Sequence, residues 1–77
     1  MNISIKYFGQ LAEVTQKEEE SFEFSKHSVS DLVESIFVKY PDLKNKDFKV
    51  AQNNELVSAD AKITGAEIAL LPPFAGG

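Results

Sequence analysis

The 77-residue chain contains no cysteine, no arginine and a single histidine. Without cysteine there is no disulfide to staple a small fold and no thiolate metal site. No side chain can carry a transferable sulfur or form a thioester as nucleophile. One histidine cannot build a zinc site alone. Twelve acids against eight lysines leave a net charge of −4. That excludes the clustered basic charge that nucleic acids and anionic membrane surfaces require, and it predicts partners that are basic around their docking sites. No run approaches the roughly 18 consecutive apolar residues of a membrane span. The opening Met1-Asn2-Ile3-Ser4-Ile5-Lys6 lacks the basic start and apolar block of a secretory signal, so a cytoplasmic location is expected. There is no Gly-rich phosphate loop, no Ser/His/Asp order and no cluster of metal-ligand spacing. His27, just before a helix cap, is expected to be solvent-exposed or to take a capping role, and Glu18-Glu19-Glu20 to form a solvated turn.

What is present is 43% apolar residues, enough for one compact core. Ile3, Ile5 and Tyr7 alternate with polar neighbours, the period of a half-buried strand ended by Gly9. Leu11, Ala12 and Val14 follow in a segment whose type the pattern leaves open. Ser21–Ser25 alternates again, with Phe22 and Phe24 inward. Val29, Leu32, Val33, Ile36, Phe37 and Tyr40 then form one continuous stripe at helical spacing. Ser28 is placed to cap this helix, Asp31 to oppose its dipole, and Pro41 to stop it. Residues 48–52 read as a third strand, Asn53-Asn54 as a tight turn tolerant of positive φ, and residues 55–57 as a fourth strand. Residues 60–65 form a loop anchored by Ile63, and residues 66–71 form an apolar fifth strand. The order β-β-α-β-β-β predicts an α+β fold: a mixed five-stranded sheet with one main helix on one face. If the last strand lies beside the first, parallel to it, this is the β-grasp or ubiquitin-like arrangement. The domain is expected over residues 1–71, with an extended tail over residues 72–77.

The tail is the informative part. It reads Leu70-Leu71-Pro72-Pro73-Phe74-Ala75-Gly76-Gly77. From average glycine usage, two closing glycines occur by chance in roughly one chain in two hundred. Pro72 and Pro73 cannot donate ladder hydrogen bonds and favour a stiff, extended path away from the sheet. Phe74 either folds back on the core or anchors in a partner's pocket. Ala75, Gly76 and Gly77 form a side-chain-free leader, and the four residues from Phe74 onward reach roughly 13 Å when extended. That suffices to thread a carboxylate through a narrow channel into another protein's active site. A carboxylate is a poor electrophile, and coupling it to AMP from ATP makes a mixed anhydride open to attack by sulfur or an amine. The tail is a chemical handle acted upon by others.

This ending resembles that of the molybdopterin synthase small subunits, the sulfur carriers of molybdenum cofactor biosynthesis. The segments Tyr7-Phe8-Gly9-Gln10-Leu11, Gln52-Asn53-Asn54-Glu55-Leu56-Val57 and Gly65-Ala66-Glu67-Ile68-Ala69 resemble the same family. Gln52 departs from it, standing where a small apolar residue is expected. The resemblance implies a β-grasp fold and a subunit that is not itself an enzyme and holds no bound cofactor. An E1-like adenylyltransferase would use ATP to adenylate Gly77, and the adenylate would become a thiocarboxylate. The large subunit, in a 2:2 heterotetramer, would take up the tail and supply the catalytic side chains while sulfur passes to cyclic pyranopterin monophosphate. A thiamine-pathway sulfur carrier and a ubiquitin-like protein modifier are the alternatives that share a Gly-Gly end.

Strand parity adds an independent point. Phe8 lies on the face opposite Ile3, Ile5 and Tyr7, and Leu71 opposes Ile68 and Leu70, so both are apolar on the face the helix should leave uncovered. Leu56 is expected to join them beside the tail exit. Single exposed apolar residues are ordinary, whereas two or three gathered there form a docking patch. The resemblance implies the same positions for partner contact, with Pro72 and Pro73 continuing it into the tail.

Overall fold

The computed structural model describes residues 2–25, 27–64 and 67–72. Five strands form one sheet: β1 (Asn2–Tyr7), β2 (Glu19–Glu23), β3 (Lys49–Gln52), β4 (Glu55–Val57) and β5 (Glu67–Leu71), in spatial order β2-β1-β5-β3-β4. β1 and β5 run parallel at the centre, with Ile5 opposite Ile68 and Tyr7 opposite Leu70, and the other pairings are antiparallel. A parallel neighbour requires a crossover. The intervening chain supplies it with α1 (Gln10–Thr15), α2 (Val29–Lys39) and a 3-10 turn over Pro41–Asn45. This is the expected β-grasp with one further short helix. No helix among the described residues is long and apolar enough to cross a membrane.

The strand and helix periods meet in one core. Ile3, Ile5, Ile68 and Leu70 from the sheet and Leu32 and Ile36 from α2 are each 0% exposed. Leu43 from the 3-10 turn and Leu11 from α1 join the same core cluster. Of the predicted helical stripe, Val29, Leu32 and Ile36 are buried; Val33, Phe37 and Tyr40 lie half-buried along its margins. The caps are as expected: the Asp31 amide donates to Ser28 Oγ at 3.1 Å, and Pro41 opens the turn that ends α2. The first α2 amides are satisfied from outside the helix, Val29 N–H donating to Ala61 O at 2.9 Å and Ser30 N–H to Ala59 O at 2.8 Å. His27 is exposed, and Ile63 is buried and donates its amide to His27 O. Asn53 and Asn54 adopt φ of 52° and 71°, the two left-handed residues of a tight hairpin.

The second strand differs from its expected span. It covers Glu19–Glu23, two residues earlier than the Phe-containing alternation suggests, and Phe24 is buried just past its end. Pairing with β1 sets this register, placing Glu20 opposite Ile5 and Glu19 opposite Lys6. Glu20 therefore lies on the core side at 9% exposure. Only Glu18 of the triplet behaves as the exposed turn residue expected of all three. α1, left untyped in the sequence, is a single helical segment closed by Gln16 at φ 62°. Thr15 packs inward there and donates its hydroxyl to Leu11 O at 3.2 Å.

Gln52, the residue that departs from the family pattern, leaves the third strand intact. It is 8% exposed, with Nε2 donating to Lys62 O at 3.1 Å and Oε1 accepting from the Thr64 amide at 2.8 Å. The amide side chain thus ties the loop before β5 to β3.

Candidate functional site

The outer face of the sheet has a polar half and an apolar half. Over β1 and β2, Ser4 Oγ donates to Glu19 Oε2 at 2.6 Å, and Lys6 Nζ pairs with Glu67 Oε2 at 3.1 Å. Over β5, β3 and β4, two small residues face each other, Ala51 opposite Ala69. Larger side chains surround them, and the shortfall in volume leaves a cleft of about 260 Å³. Phe8, Leu56 and Leu71 line it, with Asn53, Asn54 and Glu67.

Register explains why these three residues meet. The Phe8 amide donates to Leu70 O at 3.2 Å, carrying the β1–β5 ladder one residue past β1. Phe8 thereby faces outward beside Leu71, while Leu56 pairs with Ala51 across β3–β4. Phe8 is 44% and Leu56 59% exposed, Leu71 half-buried. Val38 is also exposed, alone on the outside of α2. Pro72, half-buried, follows Leu71 directly, so the cleft ends at the root of the tail. Pro73, Phe74, Ala75, Gly76 and Gly77 lie outside the described residues. A wider open groove of about 660 Å³ runs between α2 and the β3–β4 edge, sharing Leu56. It includes neither Phe8 nor Leu71, which leaves the smaller cleft as the surface next to the start of the tail.

The opposite face holds a charged cluster that the sequence did not announce. Glu20 accepts hydrogen bonds from Tyr7 OH at 2.6 Å, Tyr40 OH at 2.8 Å and Lys39 Nζ at 2.7 Å, and Lys17 Nζ stands at 3.4 Å. Tyr7 and Tyr40 meet edge to face, their centroids 6.1 Å apart. Burial alone would raise the Glu20 pKa, but the bonds from Lys39, Tyr7 and Tyr40 outweigh it and hold the carboxyl at about 2. Burial, then the Glu20 carboxylate, push both tyrosines upward, and the hydrogen bond to Glu20 raises Lys39. Every strong donor is engaged with one acceptor, an arrangement that locks β2, β1 and the end of α2 together. A signal was available in the sequence: Glu20 has the parity of Phe22, as Tyr7 has that of Ile5.

The ThiS family model matches residues 5–77, almost the entire chain. The chain belongs to the ThiS family. Its fold is that of the ubiquitin-like sulfur carriers. A structure from Pyrococcus furiosus named as subunit 1 of a molybdopterin converting factor superposes with a TM-score of 0.87 at 25% identity, covering 95% of this chain and 98% of that one. SAMP1 from Haloferax volcanii superposes with a TM-score of 0.82 at 24% identity over 100% of both chains. The small archaeal modifier protein 1 of Methanosarcina acetivorans does so with a TM-score of 0.75 at 23% identity, covering 99% of this chain and 96% of that one. The latter two likenesses concern the fold. In this ThiS-family chain the two features that sequence reasoning missed are the paired alanines that hollow the cleft and the buried Glu20 cluster behind it.

Proposed function

We propose that this ThiS-family chain is the sulfur-carrier small subunit of a molybdopterin synthase. The observation that carries the reading is the apolar cleft of Phe8, Leu56 and Leu71, whose Leu71 directly precedes Pro72 and a tail ending in Gly76-Gly77. A body that docks by its sheet and presents a thin acyl terminus suits delivery into a partner's active site. The whole-chain likeness to the Pyrococcus furiosus converting-factor subunit supports the pathway. In this reading the Gly77 carboxylate attacks the α-phosphorus of ATP on an E1-like adenylyltransferase and expels pyrophosphate. A sulfur nucleophile then displaces AMP to leave a thiocarboxylate. Ala75 and Gly76 pass through the large subunit's channel with Phe74 behind them. Sulfur passes to cyclic pyranopterin monophosphate within a heterotetramer of two small and two large subunits.

The likeness to SAMP1 favours a second reading, in which an amine attacks the acyl-adenylate and the terminus is joined to lysines of other proteins. Intact-mass analysis of the chain isolated from cells separates the two. Exchange of one oxygen for one sulfur at Gly77, together with copurification of a larger subunit that converts the pterin precursor, supports the carrier. Lysine-linked adducts without a sulfur-bearing terminus support the modifier and overturn the first reading.

A further inference from the structure

The corner between β1 and α1 touches the tail at its root. Gly9 has φ 59° and ψ −134°, close to the values of about +60° and −120° at the first central position of a type II′ turn. The Leu11 amide donates to Phe8 O at 3.1 Å, closing that turn. Only glycine adopts this backbone freely. The turn alone would explain Gly9, but a second observation does not follow from it. A Cβ placed on Gly9 would stand 3.0 Å from Pro72 Cγ and 4.0 Å from its Cδ. The pyrrolidine ring thus rests in the space left by the missing side chain. Phe8, immediately before, donates its amide to Leu70 O, so the same corner also grips the last strand two residues before Pro72.

We propose that Gly9 is a positioning residue for the tail: its bare Cα is the seat against which Pro72 sets the direction in which the chain leaves the sheet. This rests on the carrier reading only for its consequence, which is that a tail started in one direction reaches the partner's channel more often. In the sequence Gly9 marks only the end of a strand; the contact with Pro72 exists because β5 lies parallel to β1 and ends beside the corner where β1 ends.

The seat is tested with four chains: wild type, Gly9→Ala, Pro72→Ala and the double variant. The native chain has no cysteine, so Glu55→Cys and Ala75→Cys can be added to each and spin-labelled specifically. Pulsed electron resonance then reads the distance between body and tail. Gly9→Ala is expected to displace or broaden the distribution when Pro72 is present and to add nothing when Pro72 is alanine. An unchanged distribution in Gly9→Ala, or an equal change in both backgrounds, overturns the seat. Should Gly9→Ala fail to fold, Pro72→Ala alone still decides: a broadened distribution supports the contact, and an unaltered one overturns it. In unlabelled, thiocarboxylated chains assayed with the large subunit, Gly9→Ala is expected to lower kcat by about tenfold to a hundredfold with little change in KM, since orientation and not docking is lost. Retained kcat overturns the seat's part in delivery. A wild-type chain that shows no turnover at all sinks the carrier reading instead, and the distance measurement still judges the seat.

Discussion

The Tyr7 hydroxyl donates to the Glu20 carboxylate at 2.6 Å, joining β1 to β2 through the core side of the sheet. One charged group is thereby kept where an apolar residue would otherwise be expected, because Lys39 at the end of α2 and Tyr40 just after it complete its coordination. Removing the carboxylate leaves the buried Tyr7 hydroxyl unmatched.

Glu20→Gln follows from this. The folded carboxyl sits at about 2 against an ordinary value of 4.5. A depressed carboxyl contributes stability that is fully present above 4.5 and lost as pH falls toward 2. That difference corresponds to on the order of 3 kcal/mol. In urea titrations the variant should be less stable than wild type at neutral pH by an amount of that order. The gap should close steadily as the pH is lowered through this window. A gap independent of pH would show that charge is not what Glu20 contributes.

Phe8→Asp should act on docking. Phe8 is 44% exposed, so the unfolding free energy should change by no more than about 0.5 kcal/mol. In the carrier reading, affinity for the large subunit should fall by at least about tenfold, the loss expected when an aromatic anchor is removed. Calorimetric titration and a thermal melt on the same sample separate the two effects. A melt that collapses without partner would assign Phe8 to the core.

Deleting Gly77 should abolish adenylation and sulfur loading while the unfolding midpoint stays in place, since the described core is complete by Leu70. Intact-mass analysis after incubation with the activating enzyme and ATP reads the first effect. Unfolding of the truncated chain would contradict it.

In the carrier reading, Gly76→Val should leave the fold and the docking affinity unaltered and stop turnover with the large subunit, because a branched side chain would not follow the narrow channel that reading requires. Turnover that survives this change would mean that the channel is not narrow at that point.

Gln52→Ala removes two hydrogen bonds at once, to Lys62 O and from the Thr64 amide. A loss of about 1–3 kcal/mol is expected, with faster amide exchange at Thr64 than at Ile68. Equal acceleration at both would point to global unfolding and not to release of the loop.

The elements most legible in the chain are those whose own neighbours decide them. Ser28, Asp31, the apolar stripe of α2 and Pro41 are all local signals, and each acts within a turn or two of its own position. The Asn53-Asn54 hairpin is equally local. α1 was obscure because Gln10–Thr15 is too short for a period to repeat. β2 was displaced because hydrophobic alternation finds Phe22 and Phe24 but gives no weight to a buried glutamate. Its partners Tyr7, Lys39 and Tyr40 are 13, 19 and 20 residues away along the chain.

By itself the sequence determined the helix and its caps, and which face the residues of β1 and β5 point to, since these depend on residue type and on fixed backbone periods. Tertiary structure alone decided that Phe8, Leu56 and Leu71 surround one cleft, that two alanines hollow it, that Glu20 is held by three elements, and that Pro72 rests on Gly9. Each of these joins residues distant in the chain: the pairing of β1 with β5 and of β3 with its neighbours forms the cleft and the Gly9 contact, and the pairing of β1 with β2 under the end of α2 gathers the Glu20 cluster.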